Sequence, residues 1–156
     1  MRQLFTFIFI FAFAVMTWAK TSELDHLMLT PDKLIWIDAP AALPPGAKVA
    51  LIHGDSKAKG LFAMRIKVPN GWEVRPHFHP ADEHVTVIQG SFWMGTGEKW
   101  ELDKMHEIPT GGFARMTKGT RHYGMAKGET IIQVHAMGPW GITYVNPGDD
   151  PRSGKK

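Results

Sequence analysis

Most of the chain is built of short apolar runs rich in β-branched residues and separated by glycine and proline. Closely spaced runs with turn-length gaps are typical of strands in an all-β sandwich or barrel. We therefore predict an all-β domain, with Gly90 and the segments 44–46, 69–71, 109–112 and 127–128 among its turns. The predicted strands are 34–38, 48–53, 61–68, 73–79, 84–89, 91–95, 100–102, 113–116, 122–126, 130–137 and 142–145.

Alternation within these runs indicates which side chains share a face. In the run 61–68, Phe62 and Met64 fall on one side of a strand, because successive side chains point to opposite faces. Arg65 and Lys67 fall on the other side. The pattern predicts a strand with one dry face and one wet face, as expected in the wall of a small barrel.

The first residues have a different pattern. Residues 4–19 are almost unbroken apolar sequence after a single charge at Arg2, and they end in Thr17-Trp18-Ala19. This predicts a secretory signal at residues 1–19, cleaved after Ala19, and hence a periplasmic or secreted protein. The competing interpretations are a retained membrane anchor, for which the run is shorter than about 20 residues, and a buried helix, which the absence of a polar face disfavours.

The remaining chain is large enough for one hydrophobic core and too small for two ordinary domains. We predict a single domain over 20–150 and a flexible tail over 151–156. The chain has no cysteine, so no disulfide can stabilise it.

Charge patterning excludes some partners. Without the predicted signal the chain has 17 basic and 15 acidic residues, and the basic ones are scattered apart from a short group at 152–156. Such a pattern gives no basic surface for nucleic acid. No membrane partner is expected once the signal is removed.

The candidate chemistry lies in the stretch 71–90. His77 and His79 are two residues apart on an extended segment, so both imidazoles point to one side of the sheet. Glu83 follows after a turn containing Pro80, which can bring its carboxylate beside them. His122, in a glycine-containing segment, is the natural fourth ligand. The arrangement predicts a divalent metal bound by three histidines and one glutamate.

These residues carry a resemblance to the cupins. Every fixed position of the first cupin motif is present, as Gly71, His77, His79, Glu83 and Gly90. The second motif is partly present, with Gly111, Gly119 and His122 in place, Thr117 where the family has proline and Ala126 where it has asparagine. The resemblance implies a single small double-stranded β-helix, or jelly-roll, barrel with the metal ligands intact.

Two further phrases resemble small exported bacterial single-domain cupins of the cupin_2 or ChrR-like type. They are His-Pro-Ala-Asp-Glu-His-Val at 79–85 and Gly-Pro-Trp-Gly-Ile-Thr-Tyr at 138–144. Cupin barrels often pair, so a homodimer through the segment 34–53 is one expectation.

Three neutral histidines and one carboxylate around a divalent ion leave a net charge near +1. This favours a small anionic or enolic ligand that presents two oxygens. Ligands without sulfur suit Fe, Mn, Ni or Zn. The leading hypothesis is a dioxygenase-like oxidoreductase in which Glu83 serves as ligand and base. The alternatives are a metal-dependent isomerase or lyase, and a non-catalytic periplasmic protein that binds a metal or small molecule.

Four more residues are candidates for the substrate pocket. Arg75 has the same parity as the histidine pair, and Gln133 and His135 share one face of an apolar strand. The alternatives are a solvated rim charge for Arg75, and a face toward solvent or a subunit partner for the other two. Trp140 is interpreted as core or pocket lining.

Overall fold

The computed structural model describes residues 26–154. The predicted signal and its cleavage site lie outside these residues. Within them, no helix is long and apolar enough to cross a membrane.

Strands joined by loops and short 3-10 turns make up the described chain, and residues 26–154 contain no α-helix, so the predicted all-β class is confirmed. The turns are Pro31–Lys33, Leu102–Lys104, Pro147–Asp149 and Pro151–Ser153. The strands are β1 (Ile37–Asp38), β2 (Lys48–His53), β3 (Gly60–Val68), β4 (Glu73–Phe78), β5 (Glu83–Thr96), β6 (His106–Pro109), β7 (Phe113–Met116), β8 (His122–Gly138) and β9 (Thr143–Tyr144).

All strand pairs are antiparallel, and two long strands join two layers into a jelly-roll barrel. The second half of β8 pairs with β3, which continues to β2 and β1. The first half of β8 pairs with β4, which continues to β9. Strand β5 runs beside β8 along both layers and carries β7 at one end and β6 at the other. The inner-face side chains of β5 and β8 therefore lie inside the barrel.

Gly90 marks the bend in β5. Its φ is +80°, in the left-handed region that favours glycine. A Cβ at this position would lie 2.5 Å from the carbonyl oxygen of Glu129 and 2.8 Å from Thr130 Oγ1. The β5–β8 register shifts on both sides of Gln89. The predicted strands 84–89 and 91–95 are thus two halves of one bent strand, as are 122–126 and 130–137.

The remaining differences lie at the edges of the sheet. Residues 100–102 do not form the predicted strand, and β6 was not predicted. Strand β6 contains Glu107 and Pro109 and has no alternating apolar face; it is an edge strand that pairs with β5 alone. Proline is tolerated at such an edge because its missing N–H faces away from the ladder.

The core fills the space between the two layers. It includes Val68, Val85, Phe92 and Val134, each at most 3% exposed. These side chains alternate with outward-facing polar residues along their strands, which is the period-two pattern that the sequence shows.

The end of the described chain packs against the domain. Within the predicted tail, the guanidinium of Arg152 donates to the carbonyl of Ile142 at 3.2 Å and pairs with Asp150 at 2.7 Å. This part of the predicted tail is therefore anchored on the barrel.

Candidate metal centre

Three histidines meet where β4 and β8 pair. His77 lies directly opposite His122 in the ladder, and their ring centroids are 4.2 Å apart. His79 follows the end of β4, with its ring centroid 4.9 Å from that of His77. One ring nitrogen from each lies within 4.8 Å of the others, a spacing that could hold a metal ion.

Glu83 opens β5, and its carboxylate lies beside two of the three imidazoles. Its Oε2 lies 3.1 Å from His122 Nε2, and its Oε1 lies 3.6 Å from His79 Nε2. All four side chains are buried, with exposed fractions of 2% to 8%. The structure thus brings the three predicted histidine ligands together and places the fourth predicted ligand, Glu83, in contact with His79 and His122.

Backbone carbonyls orient all three imidazoles. Nδ1 of His77 lies 2.8 Å from the carbonyl oxygen of Arg75, and Nδ1 of His122 lies 2.9 Å from that of Thr120. Nδ1 of His79 lies 2.7 Å from the carbonyl oxygen of Gly141. A carbonyl only accepts, so each Nδ1 carries the proton that it donates. In its neutral form, each ring presents the lone pair of Nε2 to the shared point, as metal-binding histidines do.

Two buried atoms at this point have no hydrogen-bond partner among the described residues, His79 Nε2 and Glu83 Oε2. Glu83 Oε2 lies close to His122 Nε2, but the two atoms do not meet hydrogen-bond geometry. Orphaned buried acceptors are costly, at about 1–3 kcal/mol each. A cation that accepts all of these lone pairs removes that cost, so the donor set fits a divalent transition metal.

Burial and proximity also set the protonation of the cluster. Burial, with the charges of His122 and His79, lowers the pKa of His77 to about 3. Burial likewise lowers the pKa of His79. Burial alone would raise the pKa of Glu83, but contact with His122 and the neighbouring histidines lower it to about 2. Burial opposes protonation of His122, yet the Glu83 carboxylate raises its pKa. At neutral pH the site therefore offers a carboxylate and at least two neutral imidazoles.

A cavity of about 410 Å³ opens beside the four residues. Apolar side chains form much of its wall, and exposed side chains of the β2–β3 connection, together with Arg152, mark where it meets solvent. The apolar lining includes Val49, Leu51, Met64, Ile66, Val74, Val85, Phe92, Met94, Ile132 and Ile142. A small molecule in this cavity would lie within reach of the histidines.

Trp140 lies in the cavity wall, as the sequence predicted. Its indole stacks on His79, and its edge packs on Phe62 with centroids 5.7 Å apart. Its backbone N–H donates to the carbonyl of Ser56 at 2.7 Å. The β8–β9 connection is thereby tied to the β2–β3 connection and fixes the position of His79.

The side chain of Arg75 does not join the site, which corrects the prediction from parity. The β4–β8 register shifts between Val74 and His77, so an extra residue on β4 places these two side chains, three apart, on the inner face. Arg75 points outward, where it pairs with Glu73 at 2.9 Å and lies over the ring of Trp100. A β-bulge of this kind reverses the alternation that the prediction assumed.

Gln133 and His135 also lie on the outer face. On β8 their buried neighbours Ile132 and Val134 point into the barrel. Gln133 accepts from Arg65 Nε at 3.0 Å, and its amide lies 3.2 Å from His135 Nε2. The pocket role expected for these two residues is wrong; of the two alternatives weighed from the sequence, an outward face is correct.

The site has parts that the sequence did not reveal. The carbonyl of Gly141 and the loop residues Asp55 and Ser56 are examples. A backbone carbonyl has no residue-specific signal.

Comparison of folds places the barrel among the cupins. A polyketide cyclase from Streptomyces resistomycificus superposes with a TM-score of 0.63 and 16% identity, covering 81% of this chain and 89% of the other. A proposed acetylacetone dioxygenase from Methylibium petroleiphilum gives 0.62 and 19%, covering 83% and 88%. An RmlC-like cupin from Shewanella frigidimarina gives 0.56 and 14%, covering 72% and 90%.

At these identities the likeness establishes the fold alone. No curated protein matches the sequence. One family model does match, over residues 21–143, and its description is a domain of unknown function, DUF4437. The chain therefore belongs to the DUF4437 family and has the cupin fold.

Proposed function

We propose that this protein is a metal-dependent cupin enzyme, a dioxygenase-like oxidoreductase that acts on a small chelating anionic or enolic substrate. The observation that carries the proposal is the orientation of the three imidazoles. Each Nδ1 faces a carbonyl, so the three Nε2 lone pairs and the Glu83 carboxylate face one point beside a cavity.

His77, His79 and His122 would hold the metal as neutral imidazoles. Glu83 would hold it as a carboxylate. The ion, Fe, Mn, Ni or Zn, would supply a Lewis acid and a template for the oxygens of the substrate. His77, Glu83 and His122 lie on β4, β5 and β8, and His79 directly follows β4, so packing of these strands on the core keeps the site rigid. The apolar wall excludes water from the bound molecule.

Glu83 has a second role in the proposal. Its lowered pKa keeps it anionic at neutral pH but makes it a weak base, so it would accept a proton only from an acidic group. Oε2 is the atom without a hydrogen-bond partner among residues 26–154, and it would take the proton of an enolisable C–H or O–H group. The proton then returns to the product or to water, which restores the carboxylate.

The structural neighbours support this choice of chemistry without determining it. One is a proposed acetylacetone dioxygenase, and a second is a polyketide cyclase. A diketone can present two oxygens to one cation. A chelating, enolisable substrate is therefore a natural starting point for assays.

The test is oxygen consumption by protein loaded with Fe(II), given diketones or flavonol-like compounds. The proposal predicts uptake in step with loss of substrate, abolished in His122→Ala and retained in the exposed control His106→Ala. Conversion without oxygen uptake would instead indicate a metal-dependent isomerase or lyase. Tight binding without turnover of any substrate by any metal form would indicate a binding protein and contradict the enzyme.

We also propose that the protein is exported, because of the apolar run at 4–19. N-terminal sequencing of protein recovered from its native host tests this. A mature chain that begins at Lys20 supports export, and a chain that retains residues 1–19 contradicts cleavage.

A homodimer remains part of the proposal. The side chains of Ile35 and Ile37 are 79% and 60% exposed beside β2, within the segment 34–53 that was expected to form the contact. Sedimentation at the mass of two chains would support a dimer, and Ile37→Lys should then yield monomers. Sedimentation at the mass of one chain would contradict it.

A further inference from the structure

We infer that the substrate carries one monoanionic, two-oxygen head and an apolar body, and that the cavity selects against small dianions such as oxalate. This inference rests on the proposed function, since it assumes a metal at the four ligands. It specifies which class of chelating molecule the chain accepts.

The wall of the cavity is largely apolar. Beyond the ligands, the cavity is lined by aliphatic and thioether side chains from both layers, including Leu51, Met64, Phe92, Met94 and Ile132. Burying the matching surface of a ligand stabilises the complex by roughly 25 cal/mol per Å². A polar body would lose its hydration there without gaining partners. The wall therefore favours an aryl or branched alkyl substituent.

Few charged side chains line the cavity. Among the described residues that line the cavity, the charged side chains other than Glu83 are Asp55, Lys57 and Arg152. All three are exposed. Arg152 is also paired with Asp150, to which its guanidinium donates at 2.7 Å and 2.8 Å. No cation of the described chain is therefore available at the inner wall to meet an anionic group.

Charge balance then sets the charge of the head. A divalent ion with one carboxylate and three neutral imidazoles has a net charge near +1, which a single enolate or carboxylate neutralises. A second negative charge would be buried without a partner, and an unpaired buried charge is strongly unfavourable. Arg75 is the one Lys or Arg residue of β4, but it points outward and pairs with Glu73, so it cannot neutralise a second negative charge on the ligand.

Size agrees with the same ligand. A volume of about 410 Å³ lies in the range of roughly 300–1,000 Å³ found for small-molecule pockets. Oxalate would leave much of that space empty. A diketone with a phenyl substituent places its oxygens at the ligands and its ring against the apolar wall.

The experiment compares three probes on protein loaded with Zn(II): 1-phenylbutane-1,3-dione, pentane-2,4-dione and oxalate. Affinities come from isothermal titration calorimetry, and elemental analysis after gel filtration shows that the ion stays bound. We expect the phenyl diketone to bind at least about 30-fold more tightly than pentane-2,4-dione, from the extra apolar burial. Oxalate should bind most weakly.

A charge-introducing variant sharpens the test. Met64→Lys puts an ammonium group on the inner wall and should reduce or reverse the preference for the phenyl diketone over oxalate. Met64→Leu should preserve that preference. If Met64→Lys does not fold, Leu51→Arg provides the same cation from a side chain that is 57% exposed. Because these substitutions leave the ligands intact, zinc content should not change.

The outcomes separate the two claims. If the probes bind but oxalate binds most tightly, or the phenyl group adds nothing, the substrate class is wrong and the metalloenzyme remains. If zinc is bound at one ion per chain and no probe binds, both the substrate class and the proposed function are wrong.

Discussion

The indole of Trp140 lies parallel to the imidazole of His79, with ring centroids 4.1 Å apart and planes inclined by 16°. The next residue, Gly141, accepts the Nδ1 proton of the same imidazole through its carbonyl. One short connection thus fixes both the face and the edge of a single ring. Such outer contacts hold a ligand in the orientation that the metal requires.

Removing the indole should therefore weaken metal binding without removing a ligand. We expect Trp140→Ala to lower zinc affinity by about 10–100-fold, the range typical of partners that orient metal ligands. Trp140→Phe keeps a stacking ring and should lose less. Competition with a chromogenic chelator measures both constants. Equal affinities for Trp140→Ala and the parent would show that the stacking does not position His79.

Loss of a proposed ligand should have a larger effect. His122→Ala removes one imidazole from the buried cluster, and we expect metal content to fall from about one ion per chain to near zero. The exposed His106→Ala controls for the loss of any histidine. Elemental analysis of protein purified without chelators measures the ratio. Unchanged metal in His122→Ala would place the ion elsewhere.

The pH dependence of the metal-free protein follows from the buried imidazoles. The pKa values of His77 and His79 are lowered on folding, chiefly by burial, so below about pH 6.5 the unfolded chain binds more protons than the folded one. Each such group makes the free energy of unfolding fall by up to about 1.4 kcal/mol per pH unit. The raised pKa of His122 acts in the opposite direction and offsets part of this fall.

Stability should thus be highest above about pH 6.5 and decline as the pH falls toward 5. Urea denaturation at pH 7.5 and 5.5 measures the change. The decline should be smaller in His77→Leu, because that variant has one fewer imidazole to protonate on unfolding. An equal decline in parent and variant would mean that His77 is not held neutral by burial.

Alanine substitutions at two glycines distinguish the energetic cost of backbone strain from that of a steric clash. Gly128 has a φ of +79° and open space around a Cβ, so Gly128→Ala should cost about 1–2 kcal/mol from conformation alone. Gly90→Ala has a similar φ and in addition a clash with the Glu129 carbonyl, so it should cost about 3 kcal/mol or more. Chemical denaturation measures both. Equal losses would mean that the bend in β5 relaxes freely.

Much of the fold was predictable because its signals are local. Strands β2 and β7 have the predicted bounds, and the alternation of Phe62 and Met64 identified the inner face of β3. The positions of His77, His79 and Glu83 followed from period-two geometry across a short turn. Turn residues and alternation specify which elements form and which side faces the core.

The errors arise where local periodicity fails or where pairing is non-local. The bulge before His77 reversed the face of Arg75, and Pro76, a residue type found at bulges, is the signal in β4 that the alternation argument did not use. For Gln133 and His135, alternation identified a shared face, but the choice of inner or outer face depends on which side of β8 meets the other layer. Gly128 predicts a turn between two strands, whereas the structure has a bend within the single strand β8, because a bend and a hairpin share the same glycine signal.

The central claim is that one transition metal ion binds where the Nε2 atoms of His77, His79 and His122 meet the carboxylate of Glu83. Anomalous diffraction from crystals of zinc-loaded protein, recorded on both sides of the zinc absorption edge, tests it most directly. The account predicts a single peak within about 2.0–2.2 Å of all four side chains. A cluster without a peak, or a peak bound only by other residues, would contradict it.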